Sequence, residues 1–392
     1  MKALLKAFVL LIFITSSLPL KAQDVRVSLF YDQLTQALTF HCVYGEYKVL
    51  LEGREILTIV EGDILFLEKA GNNIRVSDNS GTIGEYSSLS FKDALFRGRF
   101  MLKTVKPVSD QRLYKGDLFT SVDHDALKLI NECEFDHYLA GVVEAEAGPG
   151  APEEFFKVQS VLCRTYAIKN WNRHLNEGFN LCDDTHCQAF HGIADDNPAI
   201  RDAVLSTHNI VVADKNYNLI TAAYHSNSGG ETQKASNIWP GEHEYLLPVI
   251  DPYSVDQPAY RWLETIPFET WVSYLRSRGV ELEDPDQEQD NLLIRQKHRK
   301  LDFILEEDTL KIKSIREDLG LRSSFFNMRV EGDDVIFEGK GYGHGVGLSQ
   351  EGAMEMARKG FSFMDILNFY YYEVQIKDLD EMPESAVPSV FR

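Results

Sequence analysis

The chain has 392 residues, of which 44% are hydrophobic, 26% charged and 11% aromatic. That composition excludes a disordered chain and allows one large core or two ordinary ones. The formal net charge is -20 at pH 7, and no dense Lys/Arg patch stands out, which argues against nucleic acid as a partner and for a soluble acidic surface.

Lys2 and Lys6 precede an apolar run from Ala7 to Leu20 that breaks at Ser16, Ser17 and Pro19, and Ala22 stands just before the polar sequence that opens at Gln23. This pattern predicts a secretory signal peptide over residues 1–22 and an exported, periplasmic or cell-wall-associated mature chain. The run is shorter than the roughly 18–20 apolar residues a membrane span needs, and no later segment supplies a span. No cysteine sits at the cut to carry a lipid. The five cysteines do not have the spacing of a disulfide framework.

Residues 23–120 read as short strands (VRVSLFY, EYKVLLEG, EILTIVEG, GRFMLKTV) divided by Gly/Asn/Asp turns, which predicts a small antiparallel β module without a binding motif. Residues 121–378 mix helical and strand periods, so the fold class expected is α+β, a mixed α/β domain behind the β module. The stretch 125–143 leads to a Gly/Pro loop and then a helix that Pro152, Glu153 and Glu154 suit as a start. Phe155, Val158, Leu162 and Tyr166 give that helix one apolar face running to about Trp171, with Cys163 as a buried small hydrophobe. Residues 200–225 look β-rich around the turn KNYN. Residues 281–290 form an acidic loop expected to be solvated. Gly360 ends one helix, and Ser362 with Asp365 has capping-box spacing for the next. The tail, residues 379–392, is expected to be loose.

Four constellations carry chemistry. Glu146, in GVVEAEAGPG, sits where an apolar stretch meets a loop, and partial desolvation there would keep a carboxyl protonated as a proton donor. By position alone it is one acid among 60, and Glu144 has the same claim. His174, Cys182, His186 and Cys187 suffice for a closed tetrahedral zinc site, although the spacing also admits a Cys182–Cys187 disulfide. The loops HSNSGGET (225–232) and GKGYGHGVGLSQEGA (339–353) are tight turns that can bring backbone close to a ligand, the second around His344. The second is not a phosphate loop, because the Gly-Lys-Ser/Thr ending is missing.

YLAGVVEAEAG with EEFFKVQSVLCRTYAIKN, CDDTHCQAFHG, YHSNSGGETQKASNIW with YLLPVIDP, and GKGYGHGVGLSQEGA together resemble, in order, the stage II sporulation protein D/LytB family. The resemblance runs from about Arg112 to Val374, and the front module is similar more loosely. It implies that Glu146 is the catalytic acid and that His174, Cys182, His186 and Cys187 hold one structural zinc ion. It also makes Gln159, Arg164, Ser226 and His344 candidate substrate-groove residues. The implied activity is that of a peptidoglycan lytic transglycosylase, cleaving between N-acetylmuramic acid and N-acetylglucosamine in strands stripped of stem peptides and leaving 1,6-anhydro ends. The LytB side of the family implies a different role, a glycan-binding enhancer of a cell-wall amidase. A zinc amidase with one ligand replaced by water is the third reading. The run Ala147-Gly148-Pro149-Gly150 departs from the Met-Pro and nearby Trp common in the family, which leaves the shape of one sugar subsite open.

Overall fold

The computed structural model describes residues 23–194, 196–280, 292–305 and 308–391. The expected signal peptide and the acidic loop at 281–290 lie outside the described residues.

The front of the chain alternates buried and exposed side chains, and two sheets result. One has the strand order Leu181–Cys182, Asp24–Leu29, Ala126–Glu134, Asp117–Asp123, Ser88–Asp93, Glu46–Leu51 and Arg54–Val60. The other runs Arg112–Lys115, Arg99–Lys106, Ala37–Tyr44, Ile64–Ala70, Asn73–Asp78 and Gly81–Tyr86. Their apolar faces meet: Phe40 of the second stacks on Phe91 of the first with ring centres 4.5 Å apart. The period-two pattern predicts this burial. The first sheet runs across position 120, since Ala126–Glu134 pairs with both Asp24–Leu29 and Asp117–Asp123. The module and the segment behind it therefore share one core, from Val25 through Val143 to Phe190.

Helix α1 (Phe135–Ala147) follows strand Ala126–Glu134 without a break. The sequence pattern misses this helix because no side chain caps its start at Glu134 and its apolar residues simply continue those of the strand. Gly148, at φ 68, ends it. Helix α2 (Glu153–Lys169) begins after Pro152, as expected, but does not have one apolar face. Phe156, Cys163, Ala167 and Ile168 enter the first core, while Phe155, Val158, Val161 and Leu162 enter a second. A helix covered on both sides is a central one.

Residues 200–225 depart from the expected β-rich pattern. Helix α3 (Pro198–Ser206) takes the start, Ile210–Ala213 pairs with Gln375–Asp378, and only Tyr224–His225 of the later run is strand, parallel to Leu348–Ser349. A lobe with its own core occupies roughly residues 260–340: strands Arg261–Pro267, Phe326–Glu331 and Asp334–Lys340, with α4 (Phe268–Ser277) and α5 (Ile312–Asp318) packed around Trp271 and Phe337. Helices α6 (Gln350–Arg358) and α7 (Phe363–Tyr370) close the second core. Gly360, at φ 88, separates them, and the Ser362–Asp365 capping box forms as expected. The tail is not loose. Leu379, Met382 and Val387 are buried, and the Phe391 ring reaches Trp171 at 4.7 Å, so apolar residues hold it where its prolines suggest freedom. The elements are those of an α+β protein, and no helix of the described residues is long and apolar enough to cross a membrane.

Candidate functional site

His174, Cys182, His186 and Cys187 come together, their ligand atoms all within 4.8 Å of one another. No disulfide joins the two cysteines. Cys187 Sγ lies 3.4 Å from His174 Nε2, and Cys182 Sγ lies 3.6 Å from His186 Nδ1. A tetrahedral ion with normal zinc–sulfur and zinc–nitrogen bonds sets such sulfur–nitrogen edges at about 3.5 Å, so the donor set fits zinc. His174 Nδ1 meets Glu177 Oε1 at 2.6 Å, which fixes the ring so that Nε2 faces the ligand cluster. The front sheet supports this corner. Tyr31 packs edge-on to His174 and stacks on His186, and the buried Asp183 carboxylate accepts N–H groups of Phe30 and Tyr31 and a bond from Arg112.

The same loop continues to the second feature. Two residues after Cys187, the Ala189 N–H donates to Glu146 Oε1 at 3.1 Å. Glu146 lies in the last turn of α1, half-buried, and the Tyr224 hydroxyl also interacts with its carboxyl. Burial raises its pKa above the usual carboxylate value, against the pull of the Ala189 N–H and the Tyr224 hydroxyl. The negative end of α1 acts in the same direction as burial. Tyr224 itself stays a phenol: burial, then the nearby Cys163 and Glu146, push its pKa well up. No second carboxylate among the described residues contributes to the Glu146 shift. Gln350, at the start of α6, donates to the Glu146 carbonyl at 3.1 Å and ties the end of α1 to the glycine-rich segment.

The two glycine-bearing loops lie side by side. A side chain at Gly347 would place its Cβ 2.1 Å from the Ala223 carbonyl, and one at Gly341 would come within 2.5 Å of the Asn227 carbonyl. Both positions have positive φ, so glycine is required twice over. Asn227 of the first loop bonds Glu351 of the second, and Ser228 Oγ bonds Asp251 and Ser254. His344 is half-buried, its Nδ1 accepting the Val346 N–H at 3.0 Å while the ring interacts with the Tyr224 carbonyl. Tyr224 thus joins Glu146 at its hydroxyl end to His344 at its backbone end. Ser226 is half-buried just after strand Tyr224–His225, its carbonyl accepting the Glu351 N–H.

Two candidate groove residues turn inward instead. Arg164 is 1% exposed and donates to the carbonyls of Val204, Thr207 and Ile210, where α3 ends. Gln159 is fully buried one turn before Cys163, with its amide on the Cys163 sulfur. Both are buried because α2 is covered on both sides. The run Arg295–Lys300 is the basic stretch that the overall charge hides. Arg299 is spent on the carbonyls of Ser228 and Glu231, and His298 meets Glu231. Sequence reasoning missed Tyr224 and Gln350 as neighbours of Glu146, although both lie in the motifs quoted above.

Fold and site define an α+β protein with one half-buried carboxyl set against a four-donor His/Cys corner. The family model for stage II sporulation protein matches residues 123–213, which hold both features. The chain is similar to stage II sporulation protein D of Bacillus subtilis (strain 168), 28% identical over 71% of this chain and 84% of the relative. It is 30% identical to stage II sporulation protein D of Bacillus amyloliquefaciens over 64% of this chain and 76% of the relative. A more distant similarity, 26% identical over 59% of this chain and 39% of the relative, is to the amidase enhancer of Bacillus subtilis (strain 168). The chain belongs to the stage II sporulation protein D/LytB family.

Proposed function

We propose that the protein is an exported peptidoglycan lytic transglycosylase whose single acid–base group is Glu146. The observation that carries the reading is the half-buried Glu146 carboxyl at the end of α1, with the Ala189 N–H 3.1 Å from Oε1, the Tyr224 hydroxyl as a neighbour and, among the described residues, no second carboxylate acting on it. Glycoside hydrolases ordinarily need two carboxyls, about 5–5.5 Å apart in retaining enzymes. A transglycosylase needs one. Protonated Glu146 gives its proton to the glycosidic oxygen as the bond from C1 of N-acetylmuramic acid to that oxygen breaks. The carboxylate left behind takes the proton of the same sugar's C6 hydroxyl, whose oxygen closes on C1 as the 1,6-anhydro ring. Glu146 ends protonated, ready for the next bond.

The four His/Cys ligands hold one zinc ion in this reading. Four protein ligands leave no open position, so zinc supplies folding free energy and rigidity. The residues it rigidifies carry the Ala189 N–H to Glu146. Digestion of purified peptidoglycan, with and without prior amidase treatment, tests the activity. Muropeptides with 1,6-anhydro ends are expected, more from the amidase-treated material. Free stem peptides would instead identify an amidase, and no product without an added amidase would favour the enhancer role that the name of one relative states.

A further inference from the structure

Beyond His344 lies a group of side chains that the chemistry at Glu146 does not use. Trp239 is half-buried and meets the His344 ring edge-on at 4.8 Å. Tyr342, two residues before His344, is 49% exposed, and the Arg322 guanidinium stands 5.9 Å from its ring centre. The Gly343 N–H donates to the Arg322 carbonyl at 2.9 Å, which anchors that arginine beside the glycine-rich loop. Helix α5 brings a second arginine. Lys313 donates to the Ile238 carbonyl at 2.6 Å, so α5 rests on the loop that carries Trp239. Arg316, one turn later, is close enough for its charge to act on both His344 and Tyr342.

Neither guanidinium is paired with a carboxylate among the described residues: Glu317, whose charge acts on Arg316, is 3.8 Å from Lys313 instead. Among the described residues neither Arg316 nor Arg322 has an ion pair or a side-chain hydrogen bond, and Arg316 Nε is buried without an acceptor. A buried donor without a partner is destabilising. This happens in a chain with 60 acidic residues against 40 Lys and Arg, where acceptors are abundant. Arg299 nearby shows the alternative, with its donors met by backbone carbonyls. A patch with two open guanidiniums and two accessible aromatic faces suits a ligand that is both a sugar and an anion: rings stack on sugar faces, and a guanidinium grips a carboxylate with two parallel bonds.

We propose that Arg316 and Arg322, with Trp239 and Tyr342, form a subsite for a sugar carrying a free carboxylate, next to the sugar whose bond Glu146 breaks. The inference rests on the glycan reading above. On a peptidoglycan strand that carboxylate is the lactyl group of N-acetylmuramic acid once its stem peptide is gone. An attached peptide turns the same group into a neutral amide, so the subsite discriminates by charge. The carboxyl groups of a stem peptide are the other source of this anion, and they sit farther from the ring.

The test is a binding titration on the Glu146→Gln chain, which leaves its ligands intact. The probes are short N-acetylglucosamine–N-acetylmuramic acid oligosaccharides with free lactyl carboxyls, the same oligosaccharides converted to lactyl methylamides, peptide-bearing ones, and chitin oligosaccharides of equal length. The free acid should bind about tenfold tighter than the methylamide, the scale of one charge-assisted contact. Arg316→Gln and Arg322→Gln should each erase that preference without weakening methylamide binding, and Arg322→Lys should keep part of it. Arg322 is exposed, so its variants remain informative if an Arg316 variant misfolds. Equal binding of acid and methylamide overturns the subsite alone. Tighter binding of the peptide-bearing sugar than of the free acid overturns the lactyl assignment. If no oligosaccharide binds, the glycan reading falls with it.

Discussion

The His/Cys corner and the surroundings of Glu146 are fed by the same loop yet reach opposite states. In the corner the donors face one another: ligand meets ligand at bonding edges, Glu177 holds His174, and Tyr31 packs on both histidines. Around Glu146 and beside His344 polar groups are left underused. Glu146 is desolvated with its pKa raised, and Arg316 Nε lacks an acceptor. A closed set of donors stores stability, whereas an open set is available to a substrate. The loop from Cys182 to Ala189 carries the rigidity of the first into the second.

Breaking each half separately should expose that division. Glu146→Gln should lower cleavage by at least about 100-fold, the lower bound for a lost general acid, while metal content and melting temperature stay unchanged. Parallel assays of product release and bound metal check it. Cys182→Ser should reverse the pattern of stability: the metal is lost and the melting temperature falls, because a structural metal contributes its binding free energy to folding. Cleavage should fall too, as the Ala189 N–H loses its mooring. Glu177→Gln is the gentler version and should weaken metal affinity by about 10–100-fold in a chelator competition. Arg164→Met should cost about 3 kcal/mol in denaturant unfolding, since the carbonyls at the end of α3 lose a charged donor, and leave cleavage per folded molecule unaltered.

The smallest effect concerns the Glu146 carboxyl itself. A general acid must be protonated to act, so the rate should fall as pH rises through the raised pKa of Glu146. The Tyr224 hydroxyl lowers that pKa, and its loss leaves desolvation less opposed. Tyr224→Phe should therefore move the alkaline limb of kcat/KM to higher pH, with a rate change of about fivefold or less, the scale of one hydrogen bond. A limb that stays put or moves down contradicts the assignment.

The His/Cys cluster was legible in the sequence because its residue types are scarce and its motif is nearly contiguous, whereas Glu146, one acid among 60, stood out only through the family resemblance. The β-rich front and the α6–Gly360–α7 punctuation were legible because period and caps are local signals. Other features depend on what packs where. Helix α1 has no capping side chain and inherits its apolar run from a strand. That Arg164 and Gln159 are buried follows only from α2 being covered on both faces. Phe391 lies in a Pro-containing tail, yet it finds Trp171. Arg316 and Trp239 are 77 positions apart and meet only because α5 docks on the Trp239 loop.

The central claim is that one carboxyl works with the substrate's own hydroxyl in place of water. Digesting peptidoglycan in heavy-oxygen water and weighing the new glycan ends tests it most directly. The account predicts muramic acid ends one water lighter than reducing ends, carrying no heavy oxygen, and absent with Glu146→Gln. Reducing ends that carry the heavy oxygen would show that water attacks, and would contradict a single-carboxyl transglycosylase.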